Sequence, residues 1–108
     1  MLLLTTTGAR SGQERVSPLT YTEHGGGRLV LIASKAGSDH HPAWYHNLVA
    51  HPDVTVELGT DRFAARARVA EEPERSELFA ERVAEMPRFG GYQELTDRRI
   101  PVVVIERI

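Results

Sequence analysis

The sequence contains no cysteine, which excludes disulfides, thiolate nucleophiles and iron–sulfur ligation together. No apolar run approaches the ~20 residues of a membrane span. Met1-Leu2-Leu3-Leu4 is too short for a signal-peptide core and follows no basic region, so a cytoplasmic protein is expected. Neither sign of charge dominates: the net charge of −2 favours neither nucleic acid nor an anionic membrane as partner. Lysine is almost missing, with Lys35 the single lysine among 13 basic residues. Arginine drift in a GC-rich genome accounts for that composition; the sharper reading is that position 35 requires a compact ammonium.

Several motifs are absent as well. No Gly-x-Gly-x-x-Gly opens a βαβ unit and no Walker loop is present. Ser11, Ser17, Ser34, Ser38 and Ser76 lack the Gly-x-Ser-x-Gly context of an activated nucleophile. An enzyme of this sequence would draw its difficult chemistry from a bound cofactor.

What is present is an ordinary globular balance, 41% hydrophobic and 26% charged over 108 residues, without repeats or an internal linker. One domain over residues 1–108 is expected. A domain of this size buries somewhat over ~60% of the surface of its unfolded chain. That leaves little room for a large internal cavity, so a sizeable ligand is expected in a surface groove or at a subunit junction.

The patterning predicts short strands over Leu2–Thr6, Arg15–Thr22, Arg28–Ser34, Asp53–Leu58, Arg62–Ala70 and Ile100–Ile105. Leu29-Val30-Leu31-Ile32-Ala33 is apolar throughout, as in a strand covered on both faces. Helices are predicted over Ala43–His51 and Pro73–Met86, the second with a stripe of Phe79, Val83 and Met86 and an otherwise solvated face. Residues 88–97 read as irregular or a short helix. A two-residue turn at Thr60-Asp61 would pair Leu58 with Phe63 and Val56 with Ala65. The element order excludes a doubly wound parallel sheet. It fits a mainly β (α+β) fold, a split antiparallel β-barrel with two or three covering helices.

Three segments carry candidate chemistry. The loop Thr5–Arg15 holds Gly8 and Gly12, the hydroxyls of its Thr and Ser residues, and Arg10 and Arg15. Glycines let backbone N–H groups approach a ligand, and the guanidinium fork matches phosphate or carboxylate oxygens. A solvated glycine-rich turn is the plainer reading of that loop. If Arg15–Thr22 and Arg28–Ser34 form a hairpin with its tip near Gly25-Gly26, paired positions sum to about 50. Arg15 then lies opposite Lys35, and with Arg10 three cations converge on one edge, an arrangement that calls for a counter-anion. The third segment, His40-His41-Pro42-Ala43-Trp44-Tyr45-His46-Asn47, offers either core packing or a wall for a flat ring system. His41 and His46 are not spaced i, i+4 on a helix face, so no metal site is expected.

In order along the chain stand Leu4-Thr5-Thr6-Thr7-Gly8, Ser11-Gly12-Gln13 with Arg15, Pro18-Leu19, Ala33-Ser34-Lys35-Ala36-Gly37, Pro42-Ala43-Trp44-Tyr45-His46-Asn47-Leu48, His51-Pro52-Asp53-Val54, and Tyr92-Gln93 with Ile100-Pro101-Val102-Val103-Val104. This ordered set resembles the deazaflavin-dependent nitroreductase family of actinobacteria and covers nearly the whole chain. The resemblance implies a split barrel that binds coenzyme F420 and passes hydride from the reduced deazaflavin to quinones, activated enones or nitroaromatics. It implies that Arg10, Ser11, Gly12, Gln13 and Arg15 hold the phosphate and acidic tail, with Val16, Ser17 and Pro18 of the following strand beside them. Ile32, Ala33, Ser34 and Lys35 would contact phosphate and linker, and Ala43, Trp44, Tyr45, His46 and Asn47 would line the ring. Phe89 or Tyr92 would close over ring or substrate, and Tyr92 or water would supply the proton.

Some positions depart from the family pattern. Glu14 stands where Pro is usual, Arg10 where Lys is frequent, and Met86 and Phe89 where Tyr is frequent. The acceptor pocket thereby loses hydroxyls, so nitroimidazole-type acceptors fit it less well. The N-terminal helix of many relatives has no counterpart ahead of Leu2, which would open the groove. Homodimerisation is a family-level expectation. The alternatives are an FMN enzyme on the same fold and a non-catalytic coenzyme or ligand carrier.

Overall fold

The computed structural model describes residues 1–108. Seven strands form one antiparallel sheet: β1 (Leu2–Thr7), β2 (Glu14–Leu19), β3 (Thr22–His24), β4 (Arg28–Ile32), β5 (Asp53–Leu58), β6 (Asp61–Val69) and β7 (Val102–Arg107). Three helices accompany them, α1 (Ala43–Ala50), α2 (Glu74–Glu85) and α3 (Arg88–Glu94), and a short 3-10 turn spans Lys35–Gly37. No helix is long and apolar enough to cross a membrane.

The strand order is β2-β1-β5-β6-β7-β4-β3. β2 and β3 therefore lie at opposite ends of the order, yet only Thr20 and Tyr21 join them. Three Cα–Cα steps span at most about 11 Å. The two ends of the sheet must approach one another, and the sheet curls into a split half-barrel.

The curled sheet explains the composition of its strands. Its inner face carries Leu2, Leu4, Leu29, Leu31, Val54, Val56, Ala65, Ala67, Val103 and Ile105, with Trp44 and Leu48 of α1 packed at the mouth. A second cluster outside the barrel joins Val30, Val102 and Val104 to Phe79 of α2 and to Ile100. β4 and β7 pair side by side, Leu29 with Ile105 through Ile32 with Val102. Both are buried on both faces, which is why they read as unbroken apolar runs. β6 has one wet face, so Ala65 and Ala67 alternate with exposed Arg62, Arg66 and Arg68.

Two registers differ from expectation. The expected hairpin of Arg15–Thr22 with Arg28–Ser34 does not form. β2 pairs with β1, Arg15 opposite Thr6, while only Thr22–His24 pairs with β4, Thr22 opposite Val30. The β1–β2 loop closes locally through Gly8 N–H to Gln13 O (2.7 Å) and Gly12 N–H to Gly8 O (3.0 Å). The apolar β4 takes β7 as its second neighbour. Arg15 and Lys35 are thus not ladder partners. In the β5–β6 hairpin the two-residue turn is Gly59-Thr60, with Leu58 opposite Asp61, Val56 opposite Phe63 and Val54 opposite Ala65. Gly59 supplies the positive φ (65°) that a glycine-first hairpin turn requires. The one-residue shift of the turn moves each pairing by two positions and keeps the apolar face inward.

The polar side of α2 is not wholly solvated. Arg82 is buried with its guanidinium 5.1 Å from the Phe89 ring centre, and Arg75 lies 4.5 Å from that of Phe79. α3 folds back onto α2, and the arginine stems cover apolar surface there. In α1, Trp44 and Leu48 are buried while Val49 stays 56% exposed.

Leu4→Ala is expected to lower unfolding free energy by about 2–5 kcal/mol through the cavity it opens. Val49→Ala should change it by no more than about 0.5 kcal/mol. Urea denaturation of both variants checks the contrast.

Candidate functional site

A groove of about 800 Å³ opens where the β1–β2 loop, the edge strand β2 and α1 meet. The loop contributes Gly8, Ala9, Arg10 and Ser11; β2 contributes Arg15, Val16 and Ser17; α1 contributes Ala43, Trp44, His46 and Asn47. β2 is an edge strand exposed over most of its length, which frees consecutive residues to border the groove.

The loop is built rather than slack. Gly8 is buried, and a Cβ there would collide with Ser11 Oγ. Gly12 has φ +71°, and Ser11 Oγ accepts the Gln13 N–H (3.2 Å). Asn47, 8% exposed, ties the loop to the barrel. Its Nδ2 donates to buried Thr6 Oγ1 (3.1 Å), and its Oδ1 accepts the Ala9 N–H (3.0 Å). One side chain on α1 thereby sets the distance between helix, strand end and loop.

The cations divide sharply by partner. Arg28 and Arg75 donate to backbone carbonyls. Arg62, Arg66, Arg68, Arg82, Arg99 and Arg107 are paired with carboxylates. Arg98 donates to three backbone carbonyls and to His41 Nδ1, and Arg88 lies against the Phe89 ring. Arg10, Arg15 and Lys35 alone have no ion pair, hydrogen bond or ring contact within the protein. Two of them, Arg10 and Arg15, border the groove. Lys35 does not border it; it stands exposed on the 3-10 turn after β4.

That turn is strained. Lys35 (φ +46°), Ala36 (φ +53°) and Gly37 (φ +81°) are consecutive left-handed residues. For residues with a Cβ this conformation costs roughly 1–2 kcal/mol each. Ala33 and Ser34, which precede the turn, are buried, and their carbonyls accept from Arg98.

Other expected site residues lie elsewhere. Gly12, Gln13, Pro18 and Ile32 do not border the groove. Tyr45 faces away from it, and with His41 lines a second groove of about 380 Å³ beside Arg75, Arg99 and Ile100. The rings of His41, Tyr45 and His46 lie with centroids 4.7–5.7 Å apart, so this cluster stands where the two grooves adjoin. Phe89 is buried edge-on to Tyr92 (5.6 Å, 89°), and Tyr92 packs on the outer cluster; neither borders the first groove. Ala9 enters the lining without having been singled out, beside Gly8 of the expected anion loop. Arg98 gave no sequence signal at all, lying in a polar stretch without periodicity.

His41 Nδ1 lies 2.9 Å from Arg98 Nη1. A guanidinium can only donate, so Nδ1 accepts and the imidazole is the neutral Nε2–H tautomer. Burial, then Arg98 and His46, push the His41 pKa below its usual 6.5. The unfolded chain then takes up the proton first as pH falls, so this site's contribution to stability is full above about 6.5 and is lost progressively below it. His41→Gln is expected to flatten that decline, which denaturant titrations between pH 7 and pH 5 would measure.

The family model of the F420H(2)-dependent quinone reductases matches residues 1–107. An F420H(2)-dependent quinone reductase of Mycobacterium tuberculosis strain H37Rv is 42% identical over 111 residues, covering 98% of this chain and 72% of that protein. The solved structure of an F420-H2 dependent reductase, FDR-A, superposes with a TM-score of 0.85 at 40% identity, covering 97% of this chain and 92% of that one. A second solved structure, described as a domain-swapped dimer, gives 0.86 at 40% identity over 97% of this chain and 78% of the other. The chain belongs to the F420H(2)-dependent quinone reductase family.

Proposed function

We propose that this chain binds coenzyme F420 along the groove between the β1–β2 loop, β2 and α1, and reduces a quinone with it. The observation that carries the reading is the set of unpartnered cations. Of 13 basic side chains, only those of the loop, β2 and the Lys35 turn are left without a protein partner. The coenzyme's phosphate and acidic tail supply the counter-charge they lack. The groove fits such a group: it is open and about 800 Å³ in volume, with guanidiniums and a glycine-containing loop at one side and Ala43 and Trp44 at the other. Gly8, whose Cβ position is taken by Ser11 Oγ, and Gly12, at positive φ, let the loop fold tightly enough to bring Arg10 and Ser11 to the groove.

When bound, the reduced deazaflavin supplies a hydride. The chain's own part is to hold and orient. Arg10, Ser11 and Arg15 fix the anionic end, with Gly12, Gln13, Val16, Ser17 and Pro18 forming the adjoining loop and edge. Asn47 holds the loop against α1. Trp44 presents an apolar wall, its ring packed into the core cluster and 8% exposed. Lys35, carried by Ile32, Ala33 and Ser34 and standing outside the groove lining, is the cation for the part of the anionic tail that extends past the groove. Activated enones and nitroaromatics are further acceptors. Tyr92 and Phe89 serve packing, and water delivers the proton. A homodimer follows the domain-swapped relative, for which Leu3 (40% exposed) and Val16 (58% exposed) offer apolar surface near the β2 edge.

Calorimetric titration with coenzyme F420 and FMN side by side tests the binding. F420 should bind with an affinity that falls as salt rises. Arg10→Ala should weaken it about tenfold, the equivalent of one charge-assisted hydrogen bond, and flatten the salt dependence. Preference for FMN, or indifference to Arg10→Ala, would overturn the assignment. Oxidation of reduced F420 by menadione, followed at the coenzyme's absorption band, separates a reductase from a carrier. Tyr92→Phe should leave that rate within about twofold, since neither aromatic of α3 borders the groove.

A further inference from the structure

We infer that Arg98 is a positioning residue for the coenzyme site, holding the Lys35 turn in the left-handed conformation that presents the chain's only lysine to the anionic part of the ligand. This rests on the coenzyme reading above, and extends it to a residue remote from the groove.

The turn does not hold itself. Lys35 and Ala36 carry side chains at φ +46° and +53°, a region that disfavours any residue with a Cβ. Its own closure is limited to Gly37 N–H to Ser34 O (3.0 Å) and Ser38 N–H to Lys35 O (3.1 Å). Arg98 bridges both ends. Its Nη1 donates to Ala33 O (3.2 Å) and its Nη2 to Ser34 O (2.6 Å), both before the turn. Its Nε donates to Ser38 O (2.6 Å), just after it. Nη1 also reaches His41 Nδ1 (2.9 Å), which anchors the guanidinium toward α1.

Arg98 is itself held. Thr96 Oγ1 accepts the Arg98 N–H (3.2 Å) and donates to Asp39 Oδ1 (2.8 Å), on the segment leaving the turn. Behind the turn, a Cβ on Gly37 would sit 2.9 Å from Tyr92 O and 3.0 Å from Leu95, so the α3 end backs it closely. The arrangement explains why the guanidinium is spent inward. Four contacts occupy the Arg98 side chain, while the ammonium of Lys35, the residue after Ser34, has none. Three carbonyls spread around a planar fork suit arginine; a single ammonium cannot reach all of them in that geometry.

A structural role alone would affect every ligand and the fold equally. The test is a double-mutant cycle of Arg98→Lys and Lys35→Ala, read as dissociation constants by titration calorimetry. Two probes are used: coenzyme F420, and the deazaflavin chromophore lacking phosphate and tail. Arg98→Lys is expected to weaken F420 about tenfold and leave the chromophore within about twofold. Lys35→Ala should do the same, and the double variant should fall about tenfold rather than a hundredfold. If Arg98→Lys does not fold, Thr96→Val removes the acceptor of the Arg98 backbone N–H and the donor to Asp39 with little change of shape, and should give the same selective loss, in smaller degree. Equal weakening of both probes, or additive losses in the double variant, overturns the positioning role while leaving the coenzyme reading intact. Failure of the wild-type chain to bind F420 removes the coenzyme reading, and this inference with it.

Discussion

The connection from β2 to β3 governs this molecule. Two residues join strands at opposite ends of the sheet order, so the sheet has to roll until its edges approach. Rolling gives the sheet an inside. Leu2, Leu4, Val56, Ala65, Val103 and Ile105 fill it from several strands, and Trp44 and Leu48 close one mouth. Rolling also leaves β2 without an outer neighbour. Its exposed residues and the α1 face at the mouth then become the two walls of one groove. The site is thus a by-product of barrel closure, set where the barrel fails to close completely.

Two polar side chains carry that geometry into the loops. Asn47 spends its amide on Thr6 and Ala9, which fixes the Arg10 loop against α1. Arg98 spends its guanidinium on the carbonyls flanking the Lys35 turn. Each reaches its loop through backbone groups, the Ala9 N–H and the carbonyls of Ala33, Ser34 and Ser38, and is anchored at its other side by a side chain, Thr6 or His41. A buried partner lost from either would strand its acceptors or donors, which is costly. Arg10 and Lys35 on those two segments are left free, as is Arg15 of β2, whereas the other arginines are paired with carboxylates, carbonyls or rings. Exposed cations without partners are cheap to keep in water and ready to exchange hydration for an anion.

The three-ring cluster of His41, Tyr45 and His46 has a similar economy. Arg98 sets the tautomer of His41, burial lowers its pKa, and the three rings stand between the two grooves. His41 is held by a cation at Nδ1, which opposes metal binding at that nitrogen.

The sequence by itself determined the strands and helices, and much of the groove. Alternation in β6 and the unbroken apolar runs of β4 and β7 report directly on how many faces each strand buries, because period and burial are local properties of the chain. Gly8, Arg10, Ser11 and Arg15 fall on one loop-and-strand hairpin, so their proximity was legible from spacing alone. Only the tertiary structure decided which strands pair. The expected hairpin between β2 and β4 is replaced by β2 with β1, since pairing depends on which edges the rolled sheet leaves available. It also decided that Lys35 stands off the groove on a strained turn and that Tyr45 faces away from it. And it made Arg98, far along the chain and without periodicity, the residue that spans that turn: hydrogen bonds between carbonyls and a side chain some 60 residues away leave no pattern in a sequence.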